Sequence, residues 1–533
     1  MVRTSMVPML MVCCGLVAQT SQPGQTPSAG PAGPASQPAP ALPAEPAAGV
    51  KRLGLRDALQ TALKYNLQVD IAQQTREQTR AQTPIALGQF DWNFSANAQD
   101  QRLDNSSTAP AGLNQAQEVV FQTSTSYSRS LTADLNRAFE WGGNLDLKYY
   151  PSYVYSKGTY YDYPAPGTNF PWHTYYPYTG AFTATYNQSL LQGFGTEVTT
   201  AQLVIARKNA AAADFNFEGS IIGLLSQVET DYWAVVYTQK DLDNKRISLR
   251  LAQQQLDENM IRLKVGTMAP LDVTQAEAQV AQAEQNIISS EANLANAKDT
   301  LVRDLYPNAE RPAGLELTDA PTLSHTQLDE DGAVKMAMER RVELRAARIG
   351  VEVSQLQLTV AQDKVRPQLN VMAQYNGAAN TYNSIGPVNT DLGGAKYPGY
   401  TLGLTFAVPI QNNIARGGLS LARANLRGTE LNLRNQELTI TLQVRQAVRN
   451  IDATEKGVKA AEKTRYLQEK TLEAEQKKFE NGMSTNFNVL QDMTNLDAAR
   501  AAEVQAQINY AQAVTALEVA VGDLIEARHF TIK

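Results

Sequence analysis

Cysteine is almost missing from this 533-residue chain. The only two, Cys13 and Cys14, sit together near the N-terminus, so nothing beyond them can form a disulfide or a thiolate metal site. Histidine is nearly as scarce: His173, His325 and His529 lie far apart without metal-ligand spacing, and neither a metal nor any other cofactor is expected. Long apolar runs are missing too. After the first 20 residues nothing approaches the ~18 consecutive apolar residues of a spanning helix, which leaves any membrane crossing to strands. Positive charge is outnumbered, 47 Lys and Arg against 53 Asp and Glu, for a net charge of -6. That is the wrong sign for neutralising phosphates, and nucleic acid is excluded as an expected partner. There is no Gly-x-Ser-x-Gly, no phosphate loop and no glycine-rich dinucleotide fingerprint after a strand, and no catalysis is expected.

What is present begins with an export signature. Residues 1–18 carry Arg3, an apolar run and a small residue at Ala18, and read as a secretory signal. Lipid attachment at Cys13 or Cys14 stays open, because Leu10, Met11 and Val12 put no small residue before either one. Residues 19–52, dominated by Pro, Ala, Gly, Ser, Gln and Thr, cannot bury enough apolar surface to offset chain entropy and read as a disordered leader.

The remainder repeats itself. Residues 262–273, RLKVGTMAPLDV, align with residues 478–489, KFENGMSTNFNV, at an offset of 216 that persists through Gln275/Gln491, Ala283/Ala499, Asn293/Asn509, Ala297/Ala513 and Leu301/Leu517. Earlier in each half Ala58, Leu59, Ala62 and Leu63 match Ala333, Val334, Ala337 and Met338 at an offset of 275, so the first half holds 59 extra residues between the two markers. Each half reads helix, strands, very long helix, glycine turn, helix. The first repeat covers 53–305, with a helix at about 55–83, strands within about 89–191, and helices at 197–264 and 271–305. A linker spans 306–330. The second repeat covers 331–528, with a helix at about 331–365, strands at about 368–410, and helices at 416–480 and 487–527; a tail of 529–533 follows. Leu242, Leu249, Leu256 and Leu263 recur every seven residues, as do Val273, Val280, Ile287, Leu294 and Leu301, the spacing of a left-handed supercoil. Small residues at Ala276, Ala283, Ser290 and Ala297 let neighbouring helices approach closely.

Residues 90–99 alternate strictly. Phe90, Trp92, Phe94, Ala96 and Ala98 point one way and Asp91, Asn93, Ser95, Asn97 and Gln99 the other, over the length of a tilted strand that crosses a bilayer. Residues 182–190, 369–375 and 400–410 behave similarly. Two strands per half make four, too few to close a barrel, and lipid tolerates no open sheet edge; several protomers must share one wall. Twelve of the 22 tyrosines fall between Tyr127 and Tyr186, with Trp92, Trp141 and Trp172 nearby, a girdle suited to the membrane interface and to contact with outer-membrane lipid. Within the surplus, residues 121–137 and 144–155 form a hairpin-like pair whose place, in the wall or above it, the sequence leaves open.

Together the two turns, 265–273 and 481–489, the helix segment ERRVELRAAR at 339–348, the strand start RPQL at 366–369 and SLLQGFG at 189–195 resemble the outer-membrane efflux protein family, that of TolC, from Leu53 onward. The resemblance implies an α+β membrane protein: a homotrimer whose twelve-stranded outer-membrane β-barrel continues as a twelve-helix α-barrel across the periplasm, built by tandem duplication. It implies a passive exit duct for a tripartite efflux or type I secretion system. The partners would be a periplasmic adaptor (membrane fusion) protein and an inner-membrane pump of RND, ABC or MFS type. Val265, Gly266, Thr267, Gly482 and Met483 match the tip that docks the adaptor. Asp272, Phe479, Ser484, Asn488 and Gln491 match the periplasmic gate. There the best-known member carries two rings of aspartate just after the second turn, with a tyrosine and an arginine as latch. Here Asn488 and Gln491 replace the acids, Phe479 and Ser484 replace the latch, and Asp272 alone keeps its charge. A rival reading, a non-conducting periplasmic coiled-coil structural or adaptor protein, would present one hairpin and a compact β-domain instead.

Overall fold

A computed structural model describes residues 50–110, 119–159, 178–307, 312, 314–321, 329–381, 384–394, 396–528 and 530. The signal, nearly all of the leader, Trp172 and the three histidines lie outside the described residues. In chain order the first half holds β1 (Val50–Leu53), α1 (Leu55–Tyr65), α2 (Leu67–Leu87), β2 (Asn93–Pro110), β3 (Val119–Ala138), β4 (Gly143–Thr159), β5 (Tyr178–Ser189), the short α3 (Thr196–Thr199), α4 (Ala201–Lys264) and α5 (Pro270–Leu305). After β6 (Gly314–Leu317) come α6 (Glu330–Arg340), α7 (Val342–Asp363), β7 (Gln368–Thr381), α8 (Ile385–Gly393), β8 (Pro398–Ala407), α9 (Asn413–Glu480), α10 (Asn486–Val521) and α11 (Leu524–Ala527). Among the described residues no helix is long and apolar enough to cross a membrane.

The long helices α4 and α9, with 64 and 68 residues, each run roughly 100 Å at 1.5 Å per residue. The other helices line up beside them in two tiers. Near the strands the neighbours run α2, α4, α7, α9; farther away they run α5, α4, α10, α9. The seven-residue spacing locates the seams: Val273, Leu294 and Leu301 are buried, and so are the small residues Ala276, Ala283 and Ser290 that let α5 lie close to α4. Where the tiers meet, the helix expected over 55–83 breaks at Asn66 and the one over 331–365 breaks at Arg341, positions related by the offset of 275. The Asn66 side chain donates to the Asp304 carbonyl (2.7 Å), and Arg341 donates to the carbonyls of Val519 (3.1 Å) and Ala520 (3.4 Å). Residues 304 and 520 are themselves 216 apart. In both halves, then, the break residue caps the C-terminal carbonyls of the returning helix and joins two shorter helices end to end.

A collar surrounds this junction. The end of the leader is not disordered: Val50–Leu53 pairs in parallel with Gly314–Leu317, because Leu53 and Leu315 turn inward onto the largest apolar core while the strands supply each other's backbone bonds. Near the C-terminus Arg528 lies between two acids, 2.9 Å from Glu229 and 2.9 Å from Glu518. Burial is the main reason the Glu518 carboxyl is pushed up to about 7; Glu229 and Asp523 push the same way, and Arg528 opposes them. A carboxyl raised in the folded state stabilises fully below its unfolded value near 4.5, and that contribution is lost as pH rises through 7, up to roughly 3 kcal/mol. Docking of α11 should therefore loosen between pH 5 and pH 8, and Glu518→Gln should flatten the dependence. Hydrogen exchange over 515–528 at the two pH values checks this; equal protection in the parent chain would refute it.

All strands except β1 and β6 form one antiparallel sheet in the order β2-β3-β4-β5-β7-β8. This corrects the expectation of two strands per half, since among the described residues the first half supplies four strands to this sheet and the second two. The surplus hairpin enters the sheet as β3 and β4, with eighteen residue pairs joining β3 to β2 and eleven joining β4 to β5.

Candidate functional site

The sheet sorts its side chains by face. Directly opposed residues of antiparallel strands share a face, so the pairing register carries one parity across all six strands. One row reads Phe94, Leu135, Leu147, Ala184, Tyr375, Tyr400, and the next Ala96, Ala133, Tyr149, Phe182, Gly377, Pro398. The opposite face carries Ser95, Asp134, Lys148, Thr183, Asn376 and Gly399 in one such row. An apolar face and a polar face on one sheet are what a wall between lipid and water requires. Helix α8, absent from the sequence reading, lies on the apolar side: Val388 is fully buried over Gly180, where an added Cβ would come within 2.4 Å of its Cγ1.

Trp92 and Trp141 are linked through Arg137 and Phe139 at the end of the sheet nearest the helices. Arg137 lies 5.5 Å over Trp92 and 5.3 Å over Phe139, Phe139 stacks on Trp141 at 4.5 Å, and Trp141 Nε1 donates to the Tyr186 hydroxyl at 2.9 Å. Rings with a polar tip and an apolar body suit a girdle at a membrane surface. Trp172 lies outside the described residues.

At the far end of the helices the two turns are built alike. Gly266 (φ 84) and Gly482 (φ 69) sit in the left-handed region. Their N–H groups donate to Leu263 and Phe479, and the next residues, Thr267 and Met483, donate to Arg262 and Lys478. Each glycine thus completes the same helix-terminating motif, which a side chain would strain. Val265 and Met483 are about 70% exposed, at 73% and 71%. Leu271 and Phe487, again 216 apart, stand equally bare on the first turns of α5 and α10; sequence reasoning passed over them because they follow no heptad.

The gate residues separate. Asp272 occupies the first turn of α5, where a carboxylate favours the helix dipole, and no cation pairs with it among the described residues. Asn488 and Gln491 are exposed on α10. Phe479 is buried, and Arg262 lies 4.3 Å over its ring while donating to its carbonyl (3.2 Å), so it cements α4 to α9. Ser484 donates to Glu475 and accepts from Asn488 (3.2 Å). The Ser484 hydroxyl first, and then the Lys478 ammonium 2.9 Å away, hold the Glu475 carboxyl below its ordinary value. Glu475 is therefore part of the tip. A second group was invisible in the sequence. Asn259 Nδ2 (2.8 Å) and Gln255 Nε2 (3.3 Å) both donate to Asn486 Oδ1, and Asn486 Nδ2 donates to the Asp272 carbonyl (3.1 Å), all three side chains being buried. Neutral amides pin the two turns together. No group of three metal-ligating side chains occurs among the described residues.

The sequence profile described as "outer membrane efflux protein" matches residues 167–305 and 333–523. The outer membrane protein TolC of Vibrio cholerae is 25% identical over 205 residues, covering 38% of this chain and 46% of that protein, so the chain spans less than half of that relative. The solved outer-membrane channel OprN superposes with a TM-score of 0.63 at 13% identity, over 88% of this chain and 89% of that one. The outer membrane protein VceC from Vibrio cholerae does so at 0.60 and 15% identity, over 88% and 96%. With the profile covering more than half of its residues, the chain belongs to the outer membrane efflux protein family, seated in the outer membrane and extending into the periplasm.

Proposed function

We infer that this chain is the exit duct of a tripartite efflux or type I secretion system. Three copies would join around one axis and passively conduct substrates that an inner-membrane pump, of RND, ABC or MFS type, delivers through a periplasmic adaptor. The observation that carries this reading is a sheet with one apolar and one polar face and two open edges, continuous with paired helical hairpins roughly 100 Å long. Lipid tolerates neither open edges nor a lone curved sheet, which favours closure by identical copies. Energy would come from the pump.

Val265, Gly266, Thr267, Gly482 and Met483, now with Leu271 and Phe487, form the surface that we assign to the adaptor. Bare apolar side chains on rigid turns suit burial by a partner's helices. Leu271→Glu combined with Phe487→Glu should abolish export in a susceptibility assay while leaving the trimer's abundance in outer membranes unchanged. Full export by the double variant would refute the assignment.

The gate would be set by Asp272, Ser484, Asn488 and Gln491, with Asp272 its one acid and Glu475 anchoring the Ser484 hydroxyl from α9. Multivalent cations should accordingly block the purified channel weakly. Conductance in a planar bilayer should persist at micromolar trivalent cation; its collapse would show acidic rings that this assignment lacks.

A further inference from the structure

The hairpin β3–β4 is built as wall. Its turn, residues 139–142, reaches the helical end of the sheet: the Thr199 hydroxyl donates to the Glu140 carbonyl, and Gly142 (φ 93) abuts Gly193 so closely that a Cβ would stand 2.4 Å from the Gly193 carbonyl oxygen. From there both strands run in register with β2 and β5. On the apolar face of β3, Leu131, Ala133 and Leu135 lie between Arg129 and Arg137. Eight residues at ~3.3 Å, tilted by ~40°, span ~20 Å of height, close to the ~25 Å apolar band of outer-membrane barrels. A loop standing in water would need no such band.

Inserted between β2 and β5, the hairpin leaves β2 and β8 as the sheet's two edges. Both edges begin or end at the helical side, and they would meet antiparallel around an axis. We propose that β2 of one copy pairs with β8 of the next and that three copies close an eighteen-stranded wall. Strands ~4.8 Å apart at ~40° give such a wall a backbone diameter of ~36 Å, against ~24 Å for twelve strands. Six strands of one chain then span an arc of ~38 Å, and four helices packed at 8–10 Å span about 32–40 Å, whereas four strands would cover only ~25 Å. The sheet meets the helical tunnel at nearly equal width, so the mouth is no constriction and the narrowest passage falls at the helical tips.

The proposal rests on the duct reading, and the experiment separates the two. In the full-length protein in outer membranes, Ser95→Cys is combined in turn with Thr401→Cys, Gly403→Cys and Thr405→Cys and oxidised. Separately, the single variants Ala133→Cys, Leu147→Cys, Thr132→Cys and Asp146→Cys are probed with a water-soluble and a membrane-restricted maleimide. The expected result is a disulfide ladder ending at three copies, with Ala133→Cys and Leu147→Cys labelled only from the lipid and Thr132→Cys and Asp146→Cys only from water. Water-soluble labelling of all four single variants beside an intact three-copy ladder would place the hairpin outside the wall and overturn the proposal alone. A ladder ending at two copies would replace eighteen strands by twelve and overturn it too. Native-sized single chains without any ladder would bring down the duct reading itself.

Discussion

Leu147→Arg leaves no assembled protein in the outer membrane. Leu147 faces the apolar side of the inserted hairpin, opposite Leu135 and Ala184 and within the band that Arg129 and Arg137 bracket. A charge on the lipid face costs up to about 2–4 kcal/mol per chain, and in the proposed three-copy wall up to roughly 6–12 kcal/mol, comparable with the whole stability of an ordinary domain. The control is Thr185→Arg, one strand away on the polar face and directly opposite Asp146. It should assemble normally. Heat-modifiable migration of outer-membrane fractions distinguishes the two, and equal assembly of both variants would mean that the face assignment is wrong.

Tyr232→Ala unfolds the collar. Tyr232 is fully buried in the largest apolar core, edge-on to Trp233 at 5.5 Å. Its hydroxyl donates to the Leu53 carbonyl (3.2 Å) and accepts from the Asp319 N–H (3.3 Å), so one side chain holds both strands of the small parallel sheet. Burial pushes this hydroxyl up to about 12, which keeps it a neutral donor throughout the physiological range. Removing the ring should cost about 3–5 kcal/mol through the cavity left behind. Tyr232→Phe, which keeps the ring and orphans two polar groups, should cost about 1–3 kcal/mol. Thermal unfolding and protease sensitivity at residues 50–54 would report both, and an alanine variant no weaker than the phenylalanine one would contradict the packing described.

The helices were legible in the sequence because their signals are local. Seven-residue spacing and the paired turns at Gly266 and Gly482 placed α4, α5 and α9 to within four residues and the start of α10 to within one, while α10 ends at Val521 and not at 527. Strand β2 was legible for the same reason, since period-2 alternation is visible in one segment. Sheet order was not. Whether residues 119–159 pair with β2 and β5 or stand apart depends on partners contributed by other strands, although the alternation of Tyr127, Arg129, Leu131, Ala133 and Leu135 against Ser and Thr was already there to read. Asn66 and Arg341 looked like helix interiors because each finds its acceptor more than 170 residues away. The same distance hid Gln255, Asn259 and Asn486, which bond across 227 and 231 positions, and it hid the burial of Phe479 beneath Arg262. Gate residues transferred position by position carry no partners with them; the bonds that each one makes come from the fold.

Electron cryomicroscopy of the detergent-solubilised, full-length protein addresses the assembly directly. The expected map is a hollow particle with three-fold symmetry, in which twelve helices continue into a ring of eighteen strands around an open axis. A single chain, or a particle with no passage through its centre, would contradict it.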